Sequence, residues 1–459
     1  MMNIIEDNIE ESVEEGKTAS AEQSTSPSTP SFNNTPEAAV EEAEQKSTDT
    51  YTNHFGLNQV PYLRFAEIQQ MLTDVESNYG IKPAFLYASF QPAQPHASQP
   101  GQVLWEYNQN GAQSTLPSDE LELRLLTATG NVIIQRIPGA TRANVRAVAR
   151  ELRLSTRNRN RTTAFMESAQ QLYQWIIAPL EEELEAQGVE NLSLILDRGL
   201  LSLPFAAFHD GEEFLIEKYS LGLIPSASFI DPRPWQRDET EVLAMGAESF
   251  TTLESLPSVP VEVERITQTW PGESFLNEEF SVQNLQRARE KNDYNIIHLA
   301  THAEFNPGRP SNSYIQFSDQ RLTLDRLPQL KLDDPVVDLL VLSACQTALG
   351  DPDAELGFAG LSIMAGVKSA LGSLWSVNDL GTLALMTHFY DSLQDAPIKA
   401  EALRQAQLAM LRGEVQVDGE RLRGPRGNVS LPTPLQQLND VNLNHPYFWS
   451  GFTMIGSPW

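Results

Sequence analysis

Two apolar runs end in residues that could do chemistry together. Asn295-Ile296-Ile297-His298-Leu299-Ala300-Thr301-His302-Ala303 carries a histidine at its tail, and Leu339-Leu340-Val341-Leu342-Ser343-Ala344-Cys345-Gln346-Thr347 carries a cysteine 43 residues later. A thiolate attacks a carbonyl carbon, and a nearby imidazole protonates the departing amine and, as imidazolium, lowers the thiol pKa. Cys345 is the only cysteine in the chain, which excludes an intrachain disulfide and a cysteine-based zinc site. A lone thiol also serves as a small core hydrophobe, and spacing alone leaves both roles open.

The other candidates are weaker. His298 lies four residues before His302 and shares its side of a strand, so it reads as a core residue. Paired histidines at that spacing suit zinc on a helix, and this run is strand-like, so no metal is expected. The stretch Asp351-Pro352-Asp353-Ala354-Glu355-Leu356-Gly357 starts like a calcium loop but lacks the sixth-position glycine and distal glutamate. It reads as a loop flanking the thiol. Phosphate, dinucleotide and serine-hydrolase fingerprints are all missing, so no cofactor is expected.

The elements that must position His302 and Cys345 follow from hydrophobic patterning. Strands predicted at 241–246, 296–300, 337–343 and 369–375 alternate with helices at 261–269, 282–290, 357–365 and 380–393. That alternation, with continuous apolar strand interiors, predicts an α/β fold with a mostly parallel sheet covered on both faces. Ligands gather at the carboxyl ends of such strands, where both residues fall. Upstream, a helix is expected from Phe65 to Val75, strands at 83–90, 102–107 and 131–137, helices at 141–154 and 163–185, and strands at 192–196 and 204–208 before a turn at His209-Asp210-Gly211. The prolines of Pro232-Arg233-Pro234 mark a boundary. The expected organisation is a disordered acidic leader over 1–55, a non-catalytic α/β half over 56–234 and a catalytic half over 235–459.

Charge narrows the function. The chain has 459 residues, 61 acidic against 32 basic, for a net charge of −29. Such a surface repels phosphate backbones and anionic lipid, which argues against nucleic acid as a partner. Eight arginines between Arg136 and Arg161 run against that average, but Arg142, Arg146, Arg150 and Arg153 fall on one helix face and read as a solvated stripe. The first 50 residues hold twelve acidic residues and no Leu, Trp or Tyr, too little apolar surface to offset chain entropy. No apolar run approaches the roughly 20 residues that span a bilayer, and the first residues lack a secretory pattern, so no membrane association and a cytoplasmic location are expected.

Residues 297–305 and 340–350 resemble the two catalytic motifs of the CHAT family of caspase-like cysteine peptidases. Asp197-Arg198-Gly199-Leu200-Leu201-Ser202-Leu203-Pro204-Phe205, Ser373-Leu374-Trp375-Ser376-Val377-Asn378-Asp379 and His445-Pro446-Tyr447-Phe448-Trp449-Ser450-Gly451-Phe452 extend the resemblance from about residue 60 to the C-terminus. It implies a caspase-like three-layer fold preceded by a non-catalytic α/β half. It also implies an endopeptidase in which Cys345 is the nucleophile and His302 the general acid and later base. Backbone N–H groups of Ala303 and Cys345 would hold the oxyanion. The family's glycine after the histidine is replaced by Ala303, which keeps the N–H but loses backbone freedom. Asp379 is the candidate S1 carboxylate for a basic residue, with a helix N-cap as its other reading. Asp351, Asp353 and Glu355 are further candidates for that pocket, and Trp375 for its wall. The substrate is a protein or peptide. The chain lacks a repeat of about 34 residues of the kind many members carry, so a separate regulatory or sensor subunit is expected. The alternative is a catalytically silent member that regulates or scaffolds.

Overall fold

The computed structural model describes residues 35–93, 116–158, 161–438 and 441–459; the strand predicted at 102–107 and the first 34 residues of the expected leader lie outside them. The rest of that expected leader contains a helix, α1 (Pro36–Phe55). Thr35 caps it by accepting from the Ala38 N–H at 3.3 Å, Pro36 opens its first turn, and Gly56 closes it at φ 63°. Composition misleads here because the buried face is Val40, Ala43, Glu44, Thr48 and Tyr51, three of them polar or amphipathic. Glu44 is fully buried and accepts from the Tyr87 hydroxyl at 3.0 Å and from Ser228 N at 2.8 Å and Oγ at 2.6 Å. A buried carboxylate with that many donors is satisfied, and it anchors the helix.

Beyond α1, the N-terminal half runs α2 (Phe65–Tyr79), β1 (Pro83–Gln91), β2 (Glu120–Thr127), β3 (Val132–Thr141), α3 (Arg142–Arg157), α4 (Thr162–Ile176), α5 (Glu181–Ala186), β4 (Asn191–Leu196), α6 (Leu215–Lys218) and β5 (Ser220–Leu223). The helix predicted over 163–185 is interrupted around Pro179, which cannot continue it. The strand predicted at 204–208 is a short 3-10 turn over Phe205–Ala207. Past the proline-rich boundary come β6 (Val242–Gly246), α7 (Val259–Thr269), β7 (Gly272–Leu276), α8 (Val282–Arg289), β8 (Ile296–Phe305), β9 (Tyr314–Gln316), β10 (Arg321–Thr323) and β11 (Leu339–Thr347). Then follow α9 (Pro352–Ala359), α10 (Leu361–Ala365), β12 (Ser369–Ser373), α11 (Asp379–Leu393) and α12 (Lys399–Leu411). A small separate sheet of β13 (Gln416–Asp418), β14 (Arg421–Gly424) and β15 (Gly427–Ser430) precedes α13 (Thr433–Gln436) and β16 (Phe452–Gly456).

Both halves share one sheet, ordered β10-β9-β8-β11-β12-β16-β5-β4-β1-β2-β3, with β6 and β7 branching from β8. Strands β6, β7, β8, β11 and β12 are parallel, as are β1, β4, β5 and β16; the two sets meet where β16 runs antiparallel to β12 and parallel to β5. Helices cover both faces, giving the three-layer α/β architecture the sequence implies. On one face of β8, His298 meets Glu262 of α7 and Tyr390 of α11; on the other, Phe305 meets Phe358 of α9 edge-to-face at 5.3 Å. Among the described residues no helix is long and apolar enough to cross a membrane.

The arginine stripe on α3 is not wholly solvated. Arg142 is buried near Asp119 and Asp197 and lies over the Phe90 ring at 4.4 Å, and Arg153 is buried against Ser202 and Glu355. Arg146 and Arg150 face solvent. The buried members have acidic partners, which removes them from any nucleic-acid-binding surface.

Candidate active site

β8 and β11 are neighbouring parallel strands, and both run further than their apolar stretches. The predicted ends at residues 300 and 343 become Phe305 and Thr347, so His302 and Cys345 sit inside strands rather than just beyond them. After an irregularity between Leu342 and Ala344, the pairing is regular: Ala344 opposite His302, Cys345 opposite Ala303, Gln346 opposite Glu304 and Thr347 opposite Phe305. Registered partners on parallel strands project to the same face, and successive residues alternate. Cys345 therefore shares a face with Ala303 and Phe305, while His302 shares the opposite face with Ala344. The two candidate catalytic residues are neighbours along the sheet whose side chains diverge.

Their surroundings agree. Nε2 of His302 donates to the Glu254 carbonyl at 2.8 Å, and the ring packs edge-to-face on Phe250 at 5.0 Å. Both partners belong to the segment between β6 and α7. In the neutral ring that bond leaves Nδ1 as the basic nitrogen. Cys345 is fully buried and its Sγ–H donates to the Leu342 carbonyl at 3.3 Å. Burial pushes the thiol up to about 12, against a hydrogen bond from the Ser373 backbone that works the other way. A Cβ placed on Gly372 of β12 would stand 3.4 Å from Sγ, an ordinary contact, and a tighter 3.1 Å from the Phe358 ring, so the thiol lies beside the part of α9 that carries Phe358. A thiol in this setting is protonated at neutral pH and shielded from solvent.

Ala303 is 1% exposed and paired in register with both β11 and Ile315 of β9, so its backbone faces neighbouring strands. Cys345, the other oxyanion candidate, is enclosed likewise. Asp379 opens α11, but Asn378 provides the cap, accepting from the Gly381 N–H at 2.8 Å. Asp379 instead accepts from Ser258 N at 2.7 Å and Ser258 Oγ at 2.6 Å, tying the start of α7 to the start of α11. Burial, with the nearby Glu262 charge a minor addition, raises its carboxyl to about 6 despite the two Ser258 bonds. The Phe250, Glu254 and Ser258 segment thus touches both His302 and Asp379, which gathers these two candidates around one loop and leaves the Cys345 thiol on the far face.

The remaining candidates have structural partners. His298 is buried, with Nε2 2.8 Å from Glu262 Oε1 and Nδ1 3.0 Å from the Tyr390 hydroxyl. Trp375 is buried and donates to the Tyr447 carbonyl at 3.0 Å. Asp351 caps α9 through the Asp353 and Ala354 N–H groups. Among the described residues no cluster of His, Cys, Asp and Glu is arranged to hold a metal.

Glu355, by sequence a pocket candidate within a loop flanking the thiol, is placed differently. It is fully buried in the first turn of α9. One oxygen accepts from the Gly350 N–H at 3.0 Å and from the Ser202 hydroxyl, with Arg153 Nη1 3.7 Å away; the other accepts from the Gly199 N–H at 3.2 Å. One carboxylate thus holds the loop that follows Cys345 against the N-terminal half. The signal was present in the Asp197-to-Ser202 segment, whose glycine and serine supply two of the donors.

The CHAT domain family model matches residues 166–457, well over half of the chain. No curated protein matches the sequence. Among solved structures, the Saccharomyces cerevisiae separase–securin complex is similar with a TM-score of 0.52 at 10% identity, covering 93% of this chain and 34% of that one. The chain therefore spans about a third of the length of that relative. Gingipain R, an Arg-specific cysteine proteinase, is similar more loosely, with a TM-score of 0.38 at 9% identity over 68% of this chain and 74% of that one. With its largely parallel sheet, caspase-like peptidase fold and extended family match, the chain belongs to the CHAT domain family.

Proposed function

We propose that the chain is a caspase-like cysteine endopeptidase in a latent state. The observation that carries this reading is the adjacency of His302 and Cys345 on neighbouring parallel strands, one residue out of register, within the family's two motifs. A rotation of the β11 tail and its following loop, residues 343–350, would bring Sγ to the imidazole face. There Cys345 would give its proton to His302 and attack the carbonyl carbon of the scissile bond. The N–H groups of Ala303 and Cys345, freed from their enclosure, would hold the oxyanion. The imidazolium would then protonate the departing amine, and a water deprotonated by the same imidazole would release the acyl group and restore the thiol. Asp379 would take the basic residue before the cut, after exchanging Ser258 for the substrate cation. A separate protein partner would drive the rotation; separase, the structural neighbour, is itself seen in complex with securin.

The test is digestion of a mixed-sequence peptide library beside Cys345→Ala. Cuts after Arg or Lys that vanish in the variant support the reading; cuts after other residues remove Asp379 from the pocket. The second reading, a silent regulator or scaffold, is favoured by the buried thiol and by Ala303. Failure of Cys345 to react with a peptidyl electrophile even after partner addition would put that reading first.

A further inference from the structure

Cys345 is covered by α9, and α9 is in turn covered by α1. Phe55, in the last turn of α1, lies so close to Gly360 at the end of α9 that a Cβ on that glycine would collide with the ring. His54 sits 4.0 Å from Asp353 at the other end of α9. Tyr51 and Lys46 share a cleft with Leu356 of α9, and Lys46 pairs at 3.1 Å with Asp197, two residues from the Gly199 N–H that Glu355 holds. Phe358, two residues before Gly360, packs at the Gly372 position beside Sγ. Contact therefore runs without a gap from α1 through α9 to the thiol.

The α1 seat suits release. Its buried apolar side chains are limited to Val40, Ala43 and the Tyr51 ring, and the rest of its buried face is Glu44 and Thr48, which are held by hydrogen bonds. When the helix lifts as a unit, Glu44 and its donors all reach water, so these bonds are exchanged for hydration rather than left unmade.

We propose that α1 is a displaceable strap that presses α9 onto β11 and so keeps Cys345 on the covered face of the sheet. The strap's bearing on activity rests on the latent-peptidase reading, but its effect on the thiol does not. Displacement of α1 loosens α9, frees the Gly350 loop and lets the β11 tail turn.

With one cysteine in the chain, alkylation reports the strap directly. The full-length protein is treated with iodoacetamide at pH 7.5, comparing wild type with Phe55→Ala, with the milder Phe55→Leu in case the first misfolds, and with Gly360→Ala. Val263→Ala, on α7 across the sheet, is the control for general loss of stability. The expected result is a gain of at least ~10-fold in labelling rate for the Phe55 and Gly360 variants, with weak urea dependence, as local opening gives. Val263→Ala should label at the wild-type rate. Unchanged labelling in the folded Phe55 and Gly360 variants, or equal acceleration by Val263→Ala, overturns the strap. Peptide cleavage by the same variants separates the two ideas: faster labelling without cleavage keeps the strap and removes the peptidase, whereas unchanged labelling removes the strap whatever cleavage shows.

Discussion

On the face that carries His302, the ends of β8 and β11 meet a loop: Phe250 against the ring, Glu254 holding Nε2, Ser258 holding Asp379. On the face that carries Cys345 they meet a helix, with Phe358 above the thiol and Glu355 fixing the turn that follows. The imidazole side is half-open, and His302 and Asp379 are already held in place there. The thiol side is sealed, and burial drives the sulfur away from ionisation. On the latent-peptidase reading proposed above, the base and pocket would be prepared and the nucleophile withheld, so control would act on one strand tail rather than on the whole site.

The comparison breaks most severely at Glu355. Glu355→Ala strips the Gly350 and Gly199 N–H groups of their acceptor and leaves Arg153 without its buried carboxylate, which should cost about 3–5 kcal/mol in urea unfolding. Labelling of Cys345 should rise, because the loop after β11 loses its tether. A loss below about 1 kcal/mol with unchanged labelling would mean the thiol face is not held there.

Asp379 sharpens the other face through pH. Its carboxyl is raised to about 6 in the folded chain, above the ordinary carboxylate value, so the folded state binds the extra proton and this group's contribution to stability falls as pH climbs from about 4 to 6. The loss is on the order of 2 kcal/mol or less. Asp379→Asn should flatten that slope in a stability-versus-pH series, leaving labelling of Cys345 as in wild type. A variant that kept the full slope would place the titrating group elsewhere.

Asn378 gives the smallest effect. Asn378→Ala removes the α11 cap and should cost about 1 kcal/mol, read as a lowered Tm. As a change on the imidazole face, it should leave the thiol's labelling rate alone.

Strand identity was legible because Ile296-Ile297 and Leu339-Leu340-Val341-Leu342 are continuous apolar runs. Strand ends were not, since Thr301, His302 and Ala303, or Ala344, Cys345 and Gln346, look like the start of loops. Those few residues decide the site, because at a period of two each position added to the strand assigns a side chain to one face or the other. The motif resemblance singles out His302 and Cys345, whereas their orientation depends on pairing across strands. Helix α1 is hidden in the sequence for a related reason: Glu44 reads as solvent-facing until Tyr87, Ser226 and Ser228 arrive from distant segments to satisfy it. The strand at Glu120–Thr127 also carries a signal in sequence, since its Leu121, Leu123 and Leu125 alternate inward.

Thiol and imidazole are apart at rest, which the alkylation rate of Cys345 in the native protein, in urea and in His302→Ala reads out. With the thiol raised to about 12, native labelling at neutral pH should be ~10³-fold slower than in the unfolded chain, and His302→Ala should leave the native rate unchanged. Rapid native labelling that falls when His302 is removed would contradict the account, because it would mean that the imidazole already activates the thiol.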